Sequence, residues 1–258
     1  MHNKRFFEFE DLAWFPNAIR QGGTDYLRYF MNLSGFYDDA VPLIARLLEK
    51  AGETKILDLC SGGGGGIERT TKKLLKWSGL NLSITLSDKF PNLSAFKHIS
   101  RTTGNVIDYI AEPVDALQIP QHLPGMLTMF TALHHFNEEE IKKILSQATK
   151  QKRSIAFFDG ADKHIGSALA ILLFQPISFV AATPFIRPFT WKRILFTYVL
   201  PAIPIMTMWD GLISVSRLHH WKTLKKIAEE TEPAYHWQVG LLRNKLGMGV
   251  TYLTGYPH

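Results

Sequence analysis

The chain has 258 residues, a formal net charge of +6, 46% hydrophobic residues and 20% charged residues. That length fits one α/β domain with additions, and the apolar content excludes a disordered chain. Cys60 is the single cysteine, which excludes an intrachain disulfide, leaves a cysteine–histidine metal site unsupported and favours a reducing compartment.

Residues 1–54 mix acids and aromatics in FEFEDLAWF before Pro16. Acids among the first apolar residues argue against a signal peptide and for a cytoplasmic chain. A helix is expected over GTDYLRYFMNL, capped by Thr24 or Asp25, and a second from Tyr37 to Ala51 with Val41, Ile44, Leu47 and Leu48 on one stripe.

A short apolar strand, Lys55 to Asp58, then runs into the five glycines Gly62 to Gly66, followed by a helix from Ile67 to Trp77. Glycine lets backbone turn sharply and approach a ligand, and the helix that follows aims free N–H groups at its polar end. A dinucleotide loop needs glycines in the pattern G-x-G-x-x-G. Counted from Gly62, the third glycine would fall on Ile67, which disfavours an NAD-type oxidoreductase. The spacing Asp58-x-Cys60-x-Gly62-x-Gly64 instead resembles motif I of the class I S-adenosylmethionine (SAM) methyltransferases, with Cys60 in place of the usual first glycine.

That resemblance implies a doubly wound, mostly parallel seven-stranded α/β sheet of order 3-2-1-4-5-7-6, with SAM as cofactor. It implies that Asp58 acts, directly or through water, on the methionine end of SAM, and that Cys60, Ser61, Gly62 and Gly64 also bind the cofactor. It also implies that the N-terminal helices lie across the pocket, with Trp14, Arg20, Tyr26 and Tyr37 facing the substrate.

A second strand, Leu82 to Ser87, ends at Asp88. This acid follows the glycines by about 20 residues, the distance of a ribose ligand, and a carboxylate can accept both ribose hydroxyls. Lys89 and Phe90 would line the adenine side. A weak third strand, Val106 to Ile110, precedes Asp115-Ala116, which resembles the adenine-recognition position of the family. A fourth strand, Met126 to Thr131, leads into ALHHF and then a helix capped by Asn137 with Glu140. The resemblance places Thr131 on SAM and one of His134 and His135 toward the acceptor, where a histidine suits a general base. A fifth strand, Ser154 to Phe158, aims Asp159 into the same crevice, and a hairpin near Tyr235 to Leu242 and Gly249 to Gly255 completes the sheet.

About 75 residues separate strands 5 and 6, where one crossover helix suffices. His164 to Ile186 and Ile194 to Trp209 carry no Asp, Glu, Lys or Arg, and Pro176, Pro184, Pro201 and Pro204 interrupt them. A buried substrate cover is favoured over a membrane-surface lid, and both over a spanning helix. Beyond it, Asp210, Ser214 and Arg217 share one helix face. They form either an internal network that fixes the cover or, through Arg217, a clamp on an acidic substrate group. Trp209 and Trp221 would stack beside it.

Four segments result: an N-terminal helical cap (1–54), a SAM-binding core (55–160), an apolar helical cover (161–232) and a closing hairpin (233–258). The expected activity is methyl transfer to an apolar or partly apolar small molecule, at O, N or C. No metal and no nucleic acid are expected, and membrane-surface contact is expected only through 164–209. The alternative is a non-catalytic SAM-binding module whose apolar cover docks a membrane or a protein.

Overall fold

The computed structural model describes residues 6–160, 165–245 and 247–258; residues 161–164 of the expected cover lie outside them. The chain opens with a short 3-10 turn, Phe9–Asp11, and two helices, α1 (Asn17–Ser34) and α2 (Val41–Ala51). Five strands with three helices between them follow: β1 (Lys55–Leu59), α3 (Ile67–Ser78), β2 (Ser83–Leu86), α4 (Leu93–Thr102), β3 (Ile107–Tyr109), β4 (Met126–Phe130), α5 (Glu138–Lys150) and β5 (Ile155–Gly160). The insertion supplies α6 (Ile165–Ala182), α7 (Trp191–Ile194), α8 (Ala202–Arg217) and α9 (Trp221–Thr231), and the hairpin β6 (Tyr235–Arg243) and β7 (Gly249–Pro257) ends the fold.

The seven strands lie in the order β3-β2-β1-β4-β5-β7-β6. The first five are parallel, and β7 runs antiparallel to both β5 and β6. Successive strand residues point to opposite faces. In β1, Ile56 therefore enters a core with α2, α3 and α4, while Leu57 enters the opposite core with α5 and α9. Every residue of β4 and β5 is buried, as a parallel sheet covered on both faces requires. The helix ends follow local chemistry. Gly35, Gly52 and Gly79 close α1, α2 and α3 at positive φ. Asn137 and Glu140 form the expected capping box on α5.

Three local expectations need correction. Helix α1 starts at Asn17, directly after Pro16, seven residues before the expected cap at Thr24. The Gly22-Gly23 pair lies inside α1 at a close helix crossing. A Cβ on Gly22 would lie 2.4 Å from Ile203 Cδ1, and one on Gly23 2.9 Å from Met206 Cε, both on α8. Pro176 does not interrupt α6, which runs on to Ala182 with the proline inside it; one missing N–H removes one helical bond. Among the described residues Asp88 caps no helix, because Asn92 caps α4 by accepting from Ala95 N.

The insertion is fastened to α1 by a buried ion pair. Arg193 Nη1 donates to Asp25 Oδ2 at 2.5 Å, Asn92 Nδ2 donates to Asp25 Oδ1 at 3.0 Å, and Arg193 Nη2 donates to the carbonyls of Ile186 and Pro188. Burial pushes the Asp25 carboxyl up to about 6, against the pull of Arg193 and Arg28. A carboxyl with a raised folded pKa favours the fold at low pH, and that contribution is lost as pH rises through the folded value. Arg193→Met is therefore expected to cost about 3–5 kcal/mol at pH 8, where an unpaired carboxylate is left buried. The cost should be visibly smaller at pH 5, where Asp25 holds a proton. Urea denaturation at the two pH values measures this, and equal losses would count against the assignment.

Candidate active site

The site is built at the carboxyl ends of β1, β2 and β4, beginning with the glycine turn. Cys60, Gly62, Gly64 and Gly65 all have positive φ, so the turn winds tightly enough to bring its own amides inward. Gly63 packs on α1, where a Cβ would sit 2.6 Å from the Thr24 carbonyl oxygen. Gly64 packs on α4, where a Cβ would meet Ile99 Cδ1 at 2.4 Å; it is a packing glycine and does not line a cavity.

Asp58 is also placed differently from the expectation. It is wholly buried beneath the turn, with Ser61 Oγ donating to Oδ2 and Thr128 Oγ1 donating to Oδ1, each at 2.6 Å. It is not on a cavity wall. It ties β1 to the turn and to β4. Burial pushes its carboxyl up to about 7, although both hydroxyl donors pull the other way.

A cavity of about 320 Å³ lies over the turn. Cys60, Ser61, Gly62, Asp88, Lys89, Asp115, Ala116 and Thr131 line it, as expected, together with Phe90. Asp88 accepts from Gly62 N through Oδ2 and from Phe90 N through Oδ1, each at 2.7 Å, and burial raises its pKa. Asp115 accepts from Leu117 N and pairs with Lys89 Nζ at 3.1 Å. Arg20, expected on the substrate side, stands on this wall with its guanidinium 4.3 Å over the Phe90 ring.

A second cavity of about 310 Å³ lies between α1, α6 and α8 and is mostly apolar. Tyr26 and Asp210 line it, and so does His134; Thr131, Leu27 and Glu10 line both cavities. Thr131 adopts φ 52°, a strained conformation for a β-branched residue. The buried Tyr37 hydroxyl bonds its Oγ1 and keeps it there. Tyr37 therefore supports the junction from behind and does not line either cavity.

The two histidines divide by environment. His134 is 2% exposed and its Nδ1 lies 2.7 Å from Asp159 Oδ1. With the carboxylate accepting, Nδ1 carries a hydrogen, and Nε2 lies 4.0 Å from Glu8 Oε2. Asp159 thus acts by orienting His134 and is absent from the cavity wall. His135 lines the first cavity and sits among Glu8, Glu10 and Asp11 at 3.5, 3.3 and 2.8 Å. Burial lowers its pKa, but the bonds to Asp11 and Glu10 and the charge of Glu8 prevail and hold it well above the ordinary imidazole range. These contacts favour the protonated imidazole, which makes His135 the poorer base of the two.

The remaining expected substrate residues lie elsewhere. Trp14 is 73% exposed, against Phe15. Trp209 donates its indole N–H to the Phe7 carbonyl, and Trp221 stacks on His220; neither lines the two main cavities. Asp210 and Arg217 do not pair with each other. Asp210 accepts from Phe9 N and Glu10 N at 2.8 and 3.2 Å, while Arg217 donates to Glu8, Asp11 and the Phe6 carbonyl. The stripe anchors the N-terminal segment across the site, a partnership over some 200 residues that no local pattern signals. Burial and Glu10 push the Asp210 carboxyl up to about 8. Glu8, which sequence reading left out, is fully buried between Arg217 and the two histidines. Glu8, His134 and His135 are the described residues whose donor atoms come close enough, within 4.8 Å, to share a metal ion.

No protein-family model matches the sequence, and no curated protein matches it. Solved structures do. A candidate O-methyltransferase from Nostoc punctiforme superimposes with a TM-score of 0.50 at 13% identity over 90% of this chain. The apo S-adenosylmethionine-dependent methyltransferase SibL does so with a TM-score of 0.51 at 12% identity over 89%. The fold is that of the class I methyltransferases. The chain matches only 59% and 57% of the lengths of those two proteins. Within the methyltransferase fold, the cavity over the glycine turn opens at the carboxyl ends of the strands, where α/β sheets bind ligands.

Asp58 gives a test of the turn itself. Its folded pKa of about 7 lies above the ordinary 3.8. It therefore favours the fold most below about pH 4 and loses that contribution as pH rises through 7. Wild-type stability should fall between pH 5 and pH 8 more steeply than that of Asp58→Asn. Parallel slopes in urea titrations of the two proteins would show that Asp58 is not the buried group responsible.

Proposed function

We propose that this chain is a SAM-dependent methyltransferase acting on an apolar or partly apolar small molecule that bears an ionisable O–H or N–H. The observation that carries the reading is that two cavities of about 320 and 310 Å³ share the wall at Thr131, with the Asp159-oriented His134 on the second. The residues over the turn fit the cofactor. Asp88 offers a carboxylate beside Gly62 N for a diol, and Asp115 offers one across the cavity for an amine. Glu10, Asp11 and Asp88 make the surroundings acidic, which suits a sulfonium cation, and Arg20, bonded to the Glu10 and Leu12 carbonyls, braces the wall beside Phe90. SAM, when bound, supplies an electrophilic methyl group.

The chain's own residues do the rest. The apolar walls of the second cavity exclude water and hold the acceptor in line, which is where most of the rate in such a transfer arises. His134 Nε2 takes the acceptor proton, and Asp159 stabilises the imidazolium that results. His135, held among three carboxylates, is the poorer base. The two structures similar to this chain, named for an O-methyltransferase and a SAM-dependent methyltransferase, support the reading. The exposed apolar side of the insertion supports contact with a membrane surface through this segment.

Calorimetry should give SAM and S-adenosylhomocysteine binding and no NAD binding. Asp88→Ala should weaken SAM by about tenfold or more, as losing a charged hydrogen-bond partner does. In a screen of hydrophobic phenols, acids and amines, His134→Ala should lower turnover by roughly 10²–10⁴-fold with SAM affinity unchanged. SAM binding with no turnover on any acceptor would favour the non-catalytic module.

A further inference from the structure

Helix α6 has two apolar faces with different surroundings. Ser167, Ala170, Ile171, Phe174, Gln175 and Ser178 recur at helical spacing and line the second cavity. The opposite face carries Leu169, Leu172, Leu173, Ile177 and Val180, each at least 41% exposed. Gly166–Phe185 is long and apolar enough to cross a membrane, yet only 11% of it is buried. Its inner face nevertheless packs closely on α8, where a Cβ on Gly211 would meet Ile171 Cγ2 at 3.2 Å. Phe174 belongs to both environments, since it lines the cavity and is 67% exposed. It marks a mouth through which the cavity meets the outer apolar face.

That outer face continues beyond α6. Tyr198 donates to the Val180 carbonyl, and Val199, Leu200 and Ile205 are exposed beside it. Phe189 and Trp191 are also exposed, next to the exposed cations Arg187 and Lys192. No Asp or Glu occurs from His164 to Trp209. The face is thus apolar, edged by aromatics and cations, and free of carboxylates. This composition complements an anionic lipid surface, with basic side chains at headgroup level and apolar ones below. A water-facing surface of a soluble protein rarely exposes so many large apolar side chains together.

We propose that the cavity between α1, α6 and α8 receives its acceptor from an anionic bilayer, entering past Phe174. The ligand class is a membrane-dissolved amphiphile with one nucleophilic hydroxyl or amine head on an apolar tail. The head reaches Thr131 and His134, and the tail lies along the inner stripe of α6 toward the lipid. This rests on the methyltransferase reading for the chemistry, while the site and its entrance stand on geometry alone.

The test uses the full chain, vesicles of phosphatidylcholine with phosphatidylglycerol, and 4-nonylphenol as the probe. Wild type should co-float with these vesicles and bind nonylphenol supplied in them. Leu172→Glu with Leu173→Glu, on the outer face only, should reduce flotation by about tenfold or more, because carboxylates are costly below the headgroups. Ala170→Trp, at the mouth, should leave flotation intact and abolish nonylphenol binding. Circular dichroism and SAM calorimetry on each variant report folding and the cofactor site separately. If SAM fails to bind while flotation and nonylphenol behave as stated, the methyltransferase reading falls and the lipid-fed site stands. Equal flotation of wild type and the double variant overturns the proposal. So does uptake of water-soluble phenol as good as that of nonylphenol, or a wild-type dimer that the double variant dissolves in the absence of vesicle binding.

Discussion

The arrangement of the site depends on one buried carboxylate. Asp58 lies buried near the end of β1, and its two oxygens are satisfied by hydroxyls from the turn that follows and from the neighbouring strand. Burying such a group is expensive unless it is fully bonded. Ser61 and Thr128 are therefore held in place as strictly as Asp58 is. Ser61 in turn bonds across to β2, donating its N–H to the Ser87 carbonyl. With three strand ends tied at one point, the glycine turn has one path, and Gly62 N arrives at Asp88. The acid that the sequence suggests as a ligand is instead the anchor that aims the ligands.

Much of this was legible from residues because parallel strands and their loops carry local signals. The alternation from strand to acid to glycine turn, the capping box at Asn137 and the hairpin all follow from nearest-neighbour chemistry, and the observed strands agree with the expected ones to within two residues at each end. Asp88, Asp115 and Thr131 came out on a cavity wall for the same reason. What local patterns could not show was pairing at long range. Nothing near Gly22-Gly23 in the chain points to Ile203 and Met206, which pack against the pair. Arg217 looks like a substrate clamp until Glu8 is seen beneath it. The aromatics Trp14, Tyr37 and Trp209 could be core, support or rim, and only packing separates these. Between His134 and His135, adjacent in sequence, the difference lies entirely in which carboxylates surround each one.

The insertion shows how an apolar sequence can be ambiguous and still informative. An uncharged run of this length fits a span, a lid or a core helix. The structure resolves the ambiguity by giving α6 one face on a cavity and another without protein cover. Pro176 does not break α6, and the crossing with α8 is close, since a Cβ at 211 would stand 3.1 Å from Gln175 Oε1 and 3.2 Å from Ile171 Cγ2. The Asp25–Arg193 pair fixes the insertion to α1, so the cavity has a rigid floor even where its outer wall faces away from the protein.

Thr131 has a consequence for how the two cavities communicate. It is a wall of both, held at positive φ by a buried tyrosine. A residue so constrained has few other conformations within reach, and any occupant that displaces it in one cavity changes the shape of the other. By thermodynamic reciprocity, the factor by which the first ligand alters the affinity of the second equals the factor by which the second alters the first. The size of any such coupling is then a property of one threonine and the tyrosine behind it.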